Sequence, residues 1–486
     1  MRNHRYILSY GLLIVALAYT LWFVFAGFGN HQDPLYWLYK YEHLQGGWMA
    51  TGTLLTGGLF VRLFGARLLV LRLVGWLCVV SAIAVPYCTL LTKEQRRNNL
   101  HWLALTYVFM GYGAFQEFSP GTLSVLLLSL LWVTESPIVM GLAVAARFPN
   151  ILALLVLVFI WKKRSLWNIP IAALIAGLVY LLGYLFITPA AADAAMSSHE
   201  LLPMLTKLWE NGGKLVGYML LGIGVLAIGK YPMSNVKYPI AVAFAVGAAL
   251  AYFVWFTMRP LQWYNIDLTY LISALCIVIS LTPNPLTLGA LILMIATLGT
   301  DTAWLKLFPA VLCLLPVATT RYTPQMKRYL FIVLAVLSIV VVTRMTTNSI
   351  GQSNLTKVQT ISTIAPYQDI AIRESEQARL EQYIADYDSL GGGLALGQEN
   401  HLMRAVTGCE AARFNEFWSN IYDSVYTAKY REIIRAEQPI VFCSFSPQFK
   451  TKPEYKDKES RMERMLLEEG YQPIDRSKYR YMIYVK

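Results

Sequence analysis

Charge is what this sequence has least of. Only 14% of its 486 residues are Asp, Glu, Lys or Arg and 56% are hydrophobic, against the about 25% charged usual in soluble globular proteins. Mean hydropathy is +0.46, which excludes a water-soluble fold for most of the chain and implies a membrane body. Acids are scarcer still through residue 344, which carries ten of the 29, leaving 19 beside 18 basic residues in the tail. The net charge of +12 therefore sits in the apolar body. That argues against a nucleic-acid partner and matches Lys and Arg held in cytoplasmic loops. Cysteine is also sparse: Cys78, Cys88, Cys276 and Cys313 fall in apolar runs, where a thiol is a small hydrophobe, and Cys409 and Cys443 lie in the tail. No CxxC or Cys/His spacing occurs, so no zinc site and no cofactor are expected; divalent-metal dependence is left open. The lack of an internal repeat lowers the expectation of a transporter built from duplicated halves.

What is present is a series of apolar runs of roughly 14 to 25 residues. They predict a polytopic α-helical membrane protein with about thirteen transmembrane helices, near 6–28, 68–92, 100–116, 120–134, 136–147, 150–161, 167–188, 214–229, 238–257, 268–282, 285–300, 302–319 and 329–343. No small-residue cleavage site follows the first run, which reads as a retained span. Arg147-Phe148-Pro149-Asn150 breaks 136–161 into two short helices, since the residue before a proline resists the helical conformation.

Such a reading puts Arg2, Arg5, Lys93, Arg96, Arg97, Lys162, Lys163, Arg164, Lys230, Lys237, Arg321, Lys327 and Arg328 in the cytoplasm. Asp33, Glu42, Glu117, Asp193, Glu200, Glu210, Asp267 and Asp301 then face outward, where chemistry is expected. Residues 1–344 form the multi-span body, with outer loops 29–67 and 189–213. The first of these reads as an aromatic-rich interfacial helix. Residues 345–486 are expected outside as a small α/β domain, with helical patterns at 369–387, 417–436 and 456–469. Its β-like runs are Leu394 to Leu396, Ile440 to Phe445 and Tyr479 to Val485. In an oxidising compartment Cys409 and Cys443 are candidates to pair.

Asp33 stands just outside the first span, where a carboxylate at the edge of hydrocarbon is costly without a partner or a use. It is a candidate general base that takes the proton of an attacking hydroxyl, or else an interfacial cap that Asp-Pro favours. His199 and Glu200 in the second outer loop are candidate substrate residues of a mobile lid, or ordinary loop polarity.

An acid after the first span, an interfacial helix stopping at Leu63-Phe64-Gly65, Arg72 opening the second span and the short helical pair around Gly141, Ala145 and Arg147 together resemble the GT-C superfamily of membrane glycosyltransferases. That family includes the dolichyl-phosphate-mannose and aminoarabinose transferases. The resemblance covers residues 1 to about 190 in layout, and an outer C-terminal domain matches in kind. It implies a transferase moving a sugar from a polyprenyl-phosphate-linked donor to a glycan, lipid or protein at the outer face of a bacterial inner membrane. Asp33 would be its catalytic base and Glu117 its second acid, orienting the acceptor or holding a sugar hydroxyl. Glu117 is otherwise an N-cap for the helix starting near Pro120. The frequent Asp-Glu pair is absent, Gln32 and Pro34 flanking Asp33. The leaving phosphate calls for positive charge at the lipid boundary, with Arg259, Arg147, Arg72 and Arg344 as candidates and headgroup snorkelling as the other reading of each. Trp263 and Tyr264 beside Arg259 suit stacking on a sugar or an interfacial aromatic belt.

A transporter or lipid flippase would instead need ionisable groups at mid-membrane, of which the sequence has few, and a noncatalytic scaffold would use the tail to bind partners. Convergence of Asp33, Glu117 and Arg259 in one outward cavity separates transfer from these alternatives.

Overall fold

The computed structural model describes residues 2–26, 32–113, 117–162, 165–189, 215–226, 266–281, 286–297, 303–348, 359–397, 400–408, 410–411, 424–444, 463–479 and 481–486. Most of them are helical. Apolar runs become α1 (Arg2–Phe25), α4 (Leu68–Leu90), α6 (Leu100–Gly113), α7 (Pro120–Thr134), α8 (Pro137–Ala146), α9 (Ala153–Trp161) and α10 (Asn168–Phe186). Between them lie α2 (Gln32–His43), α3 (Thr51–Phe64) and α5 (Lys93–Asn98). Then follow α11 (Leu215–Leu226), α12 (Ile266–Leu281), α13 (Thr287–Met294), α14 (Ala303–Leu312), α15 (Leu315–Ala318) and α16 (Pro324–Asn348). Three of the described helices, Tyr6–Phe25, Leu68–Leu90 and Asn168–Phe186, are long and apolar enough to cross a membrane by length and composition. The span expected at 238–257 lies outside the described residues. The run 302–319 divides into α14 and α15, because Pro316 has no amide hydrogen to donate to Leu312, where α14 ends.

Local chemistry sets the breaks. Gly65, at φ +87, ends α3 and donates its amide to Val61 O at 2.8 Å. Residues Phe148–Leu152 form a 3-10 turn between α8 and α9, in which Asn150 Nδ2 donates to Ala143 O at 2.8 Å and Ser124 Oγ at 2.9 Å. α1 packs on α6, α4 on α7, α8 on α10 and α16 on α6. Their outward faces stay apolar, with Ile7, Leu8, Ile14 and Val15 exposed on α1 and Leu174, Leu178, Leu181 and Leu185 on α10. Faces of that kind suit helices solvated by lipid rather than water.

The bundle has two unlike ends. At one, Arg97 donates to Tyr6 Oη at 3.0 Å and lies 4.2 Å from the ring centroid. Nearby, Lys327 reaches Asn99 Oδ1 at 3.4 Å, and Arg96 donates to Cys88 O at 3.0 Å. The other end carries α2, α3, the turn before α7 and the α8–α9 break. There Gln45 and Gly46 (β1) pair in parallel with Thr188 and Pro189 (β2).

The tail sits on this second end. A hairpin of β3 (Gln359–Ile361) and β4 (Ala371–Arg373) leads into α17 (Glu374–Ser389). The helical pattern at 369–387 therefore starts later than expected, because 371–373 is taken up by pairing with 359–361. A five-stranded sheet follows in the order β6-β5-β7-β9-β8, formed by β5 (Leu394–Gly397), β6 (Glu410–Ala411), β7 (Ile440–Ser444), β8 (Gln472–Arg476) and β9 (Tyr481–Val485). β5 runs parallel to β6 and β7, while β9 is antiparallel to β7 and β8. Alternation along the strands divides the faces. Phe442 and Ile483 pack with Leu380 and Tyr383 of α17. Val441 and Tyr484 pack with Ile433 and Ile434 of a helix at Ser424–Glu437 and with Met465 and Leu466 of a helix over 463–468. α18 (Asn400–Thr407) follows β5. Cys409 lies outside the described residues.

This sheet is not set apart from the helices beneath it. One apolar cluster contains Leu35, Leu38 and Tyr41 of α2, Leu54 and Val61 of α3, and Leu68 and Leu71 of α4 together with Tyr367, Ile370, Leu402, Met403 and Tyr481 of the tail. At its margin Leu68 N donates to Pro366 O at 3.1 Å, Arg67 meets Asp369 at 3.3 Å, and Ala26 bridges Ala371.

Within the tail, Asp386 is buried and takes Arg476 Nε at 2.9 Å, Arg476 Nη2 at 2.8 Å and Tyr481 Oη at 2.6 Å. Burial alone would raise its pKa, but hydrogen bonds from Arg476, Tyr481 and Gln382 outweigh burial and hold the carboxyl below the usual range. A depressed carboxyl contributes stability that is fully present above its unfolded value of about 3.9 and is lost as pH falls through its folded value. Thermal unfolding of the full chain in detergent should consequently fall more steeply with acid for the unaltered protein than for Asp386→Asn. Parallel acid limbs would remove Asp386 as the cause.

Candidate functional site

The site is built where α2, α4 and the turn before α7 meet. α2 is short and half apolar: Leu35, Leu38 and Tyr41 face inward at helical spacing, while Glu42 and His43 are exposed. Asp33 occupies its first turn, so the sequence-predicted base belongs to a helix rather than a free loop. α3 lies close to α2 because two glycines permit it. A Cβ on Gly57 would stand 2.4 Å from Tyr41 Cδ1, and one on Gly58 would stand 2.3 Å from Leu44 Cδ2.

Tyr41 carries this packing to the next element. Its hydroxyl donates to Phe118 O at 3.2 Å, and Phe118 lies between the Tyr41 and Phe60 rings at 5.8 and 5.7 Å. Phe118 N donates to Leu71 O on α4 at 2.8 Å. The turn is thereby fixed from both sides, bringing Glu117 Oε1 within 3.4 Å of Arg72 Nε, with side chains 18% and 3% exposed. A charge pair this far from water is costly to separate. The N-cap position of α7 falls on Ser119, whose amide donates to Thr122 Oγ1 at 2.9 Å, so Glu117 is not the cap.

Gly57→Ala tests the packing beneath this pair. Overfilling a buried contact of this kind costs about 1–3 kcal/mol. Gly57→Ala should lower the thermal midpoint in detergent, whereas Gly11→Ala, with nothing within 4 Å of the added carbon, should not. Equal midpoints would show that α2 and α3 do not depend on this approach.

Arg147 lies at the same end, beyond α7, and is buried; its Nη1 donates to Ala296 O at 2.8 Å, tying the α8–α9 break to the turn after α13. Next to it Phe148 meets Trp48 of the first loop edge-on at 4.7 Å. The structure thus joins Arg72 to Glu117, sets α2 against their turn, and places Arg147 in a separate polar contact. Arg259, Trp263, Tyr264, His199 and Glu200 lie outside the described residues, as do the side chains of Asp33 and Arg344.

Sequence reasoning missed Lys40. It is 8% exposed, lies 4.0 Å from the Tyr36 ring centroid and donates to the Tyr36 hydroxyl. Seven residues after Asp33, it shares that residue's face of the helix. A lysine on an aromatic-rich interfacial helix reads as snorkelling, and only the i,i+7 spacing from Asp33 could have marked it. Among the described residues no cluster of three or more His, Cys, Asp or Glu could hold a metal ion.

No protein-family model matches the sequence, and no curated protein matches it. Among solved structures the chain is similar to ArnT from Cupriavidus metallidurans bound to undecaprenyl phosphate. The two are 11% identical over 98% of this chain and 97% of that chain, with a TM-score of 0.40, a likeness too slight to assign a family.

Proposed function

We propose that this chain is a GT-C-type glycosyltransferase that moves a sugar from a polyprenyl-phosphate-linked donor to a glycan, lipid or protein acceptor at the outer face of a bacterial inner membrane. The observation that carries the reading is the meeting of α2, bearing Asp33, with the Arg72–Glu117 pair at the less basic end of a bundle whose outward faces are apolar. In this reading Asp33 takes the acceptor proton as the hydroxyl attacks the anomeric carbon, and the bond to the donor phosphate breaks. The phosphate leaves as the lipid monophosphate, its growing charge met by cationic side chains at the boundary. Arg72 holds Glu117, which orients the acceptor, and direct displacement inverts the anomeric centre. Positive charge at the opposite end sets that end in the cytoplasm and the sheet outside.

The test supplies membranes carrying the chain with a panel of polyprenyl-monophosphate sugars and follows release of polyprenyl phosphate. Release that depends on Asp33 is expected. No release from any donor removes the reading; equal release by Asp33→Asn keeps the transfer and removes Asp33 as its base.

A further inference from the structure

The tail touches the site through one helix. α18 leaves the sheet directly after β5 and lies across α2, with Leu402 and Met403 fully buried in the cluster that holds Leu35, Leu38 and Tyr41. Gly408, at φ +69, stops α18 and donates its amide to Arg404 O at 2.9 Å, so Arg404 occupies the last turn of the helix. From there its guanidinium stands 3.8 Å from the Tyr39 ring centroid. The same ring meets His43 at 4.2 Å. α3 secures the later half of α2 through Tyr41 and Leu44; α18 bears on the helix as well.

We propose that α18 is a positioning element for α2 and that Arg404, acting through Tyr39 in the later half of that helix, is a positioning residue for the helix that carries Asp33 in its first turn. The proposal rests on the glycosyl-transfer reading for its catalytic consequence, though not for its structural one. A cation on a ring face is a directional contact at a half-buried site. Its loss leaves the apolar cluster intact but releases the helix to open locally, and local opening is what amide exchange reads. The tail is then part of the machinery that orients the reaction, in place of a partner-binding appendage.

The experiment uses the full chain in lipid nanodiscs and compares Arg404→Gln, Tyr39→Leu, their combination and Tyr39→Phe. Arg404→Gln and Tyr39→Leu should each speed exchange of the α2 amides on the order of tenfold. The α4 amides should be unaffected, the double variant should add little, and Tyr39→Phe, which keeps the ring face, should behave as the unaltered chain. With an active donor, kcat should fall in the same two variants with KM little changed, since the base is displaced and donor binding is not. If either variant fails to fold, the other still carries the comparison. Unchanged α2 exchange in a folded Arg404→Gln or Tyr39→Leu overturns the proposal while leaving glycosyl transfer untouched. Absence of turnover in the unaltered chain removes the transfer reading while exchange still decides the role of α18.

Discussion

Asp33→Asn is expected to accumulate, insert and bind donor lipid as the unaltered chain does, yet turn over at least about a hundredfold more slowly. A hydroxyl is a poor nucleophile until its proton is removed in the transition state, and a positioned carboxylate supplies roughly 10²- to 10⁴-fold of rate by taking it. Asparagine keeps the size of the side chain and most of its hydrogen bonding. A pure structural role in the first turn of α2 would therefore survive the change largely intact, apart from a few tenths of a kcal/mol of interaction with the helix dipole. Single-turnover rates with bound donor separate the two roles. A slow chemical step in a folded protein assigns the base, and a normal rate leaves Asp33 a structural role and moves the base elsewhere, with Glu117 the first residue to examine.

Breaking the Arg72–Glu117 pair from one side should be the most damaging change to stability. Glu117→Gln leaves a guanidinium whose side chain is only 3% exposed without its carboxylate, and removing one partner of a buried pair costs about 3–5 kcal/mol. Replacing both, Arg72→Met with Glu117→Gln, should recover the part of that loss that comes from parting these two charges. Unfolding from mixed micelles measures the energies, and turnover measured on the same proteins decides the chemistry. A double variant that regains stability but not turnover shows that Glu117 acts on substrate. One that regains both shows that the pair is structural, and a Glu117→Gln protein as stable as the unaltered chain shows that the pair contributes little.

The parts of this molecule that were legible in its sequence are those that lipid or backbone chemistry dictates. Crossing hydrocarbon requires about twenty apolar residues, so α1, α4 and α10 are visible as runs, and Gly65, Pro120 and Phe148-Pro149 mark ends that only a few residues make. Glu117 was legible as an acid on the sparsely basic side. Arg72 was legible as a cation opening the second span, but its pairing with Glu117 was not, because the two meet only once Phe118 docks on Leu71. β8 escaped notice because Gln472, Pro473 and Asp475 are exposed on an edge strand and give no apolar alternation. α18 went unread for a related reason: eight residues are too few to show a helical period, and their apolar side is satisfied by a helix more than 350 positions earlier.

The shared apolar cluster also sets an order of events during synthesis. Arg67 and its partner Asp369 are 302 residues apart, and at the about 5–20 residues per second of chain growth roughly 15 to 60 seconds separate their appearance. For that interval α2, α3 and the start of α4 are made but lack the surface that later covers Leu35, Leu38 and Leu68. The nascent first loop is thus a sticky, half-finished face waiting for the end of its own polypeptide. The most vulnerable stage in the life of this protein falls before its last third has been translated.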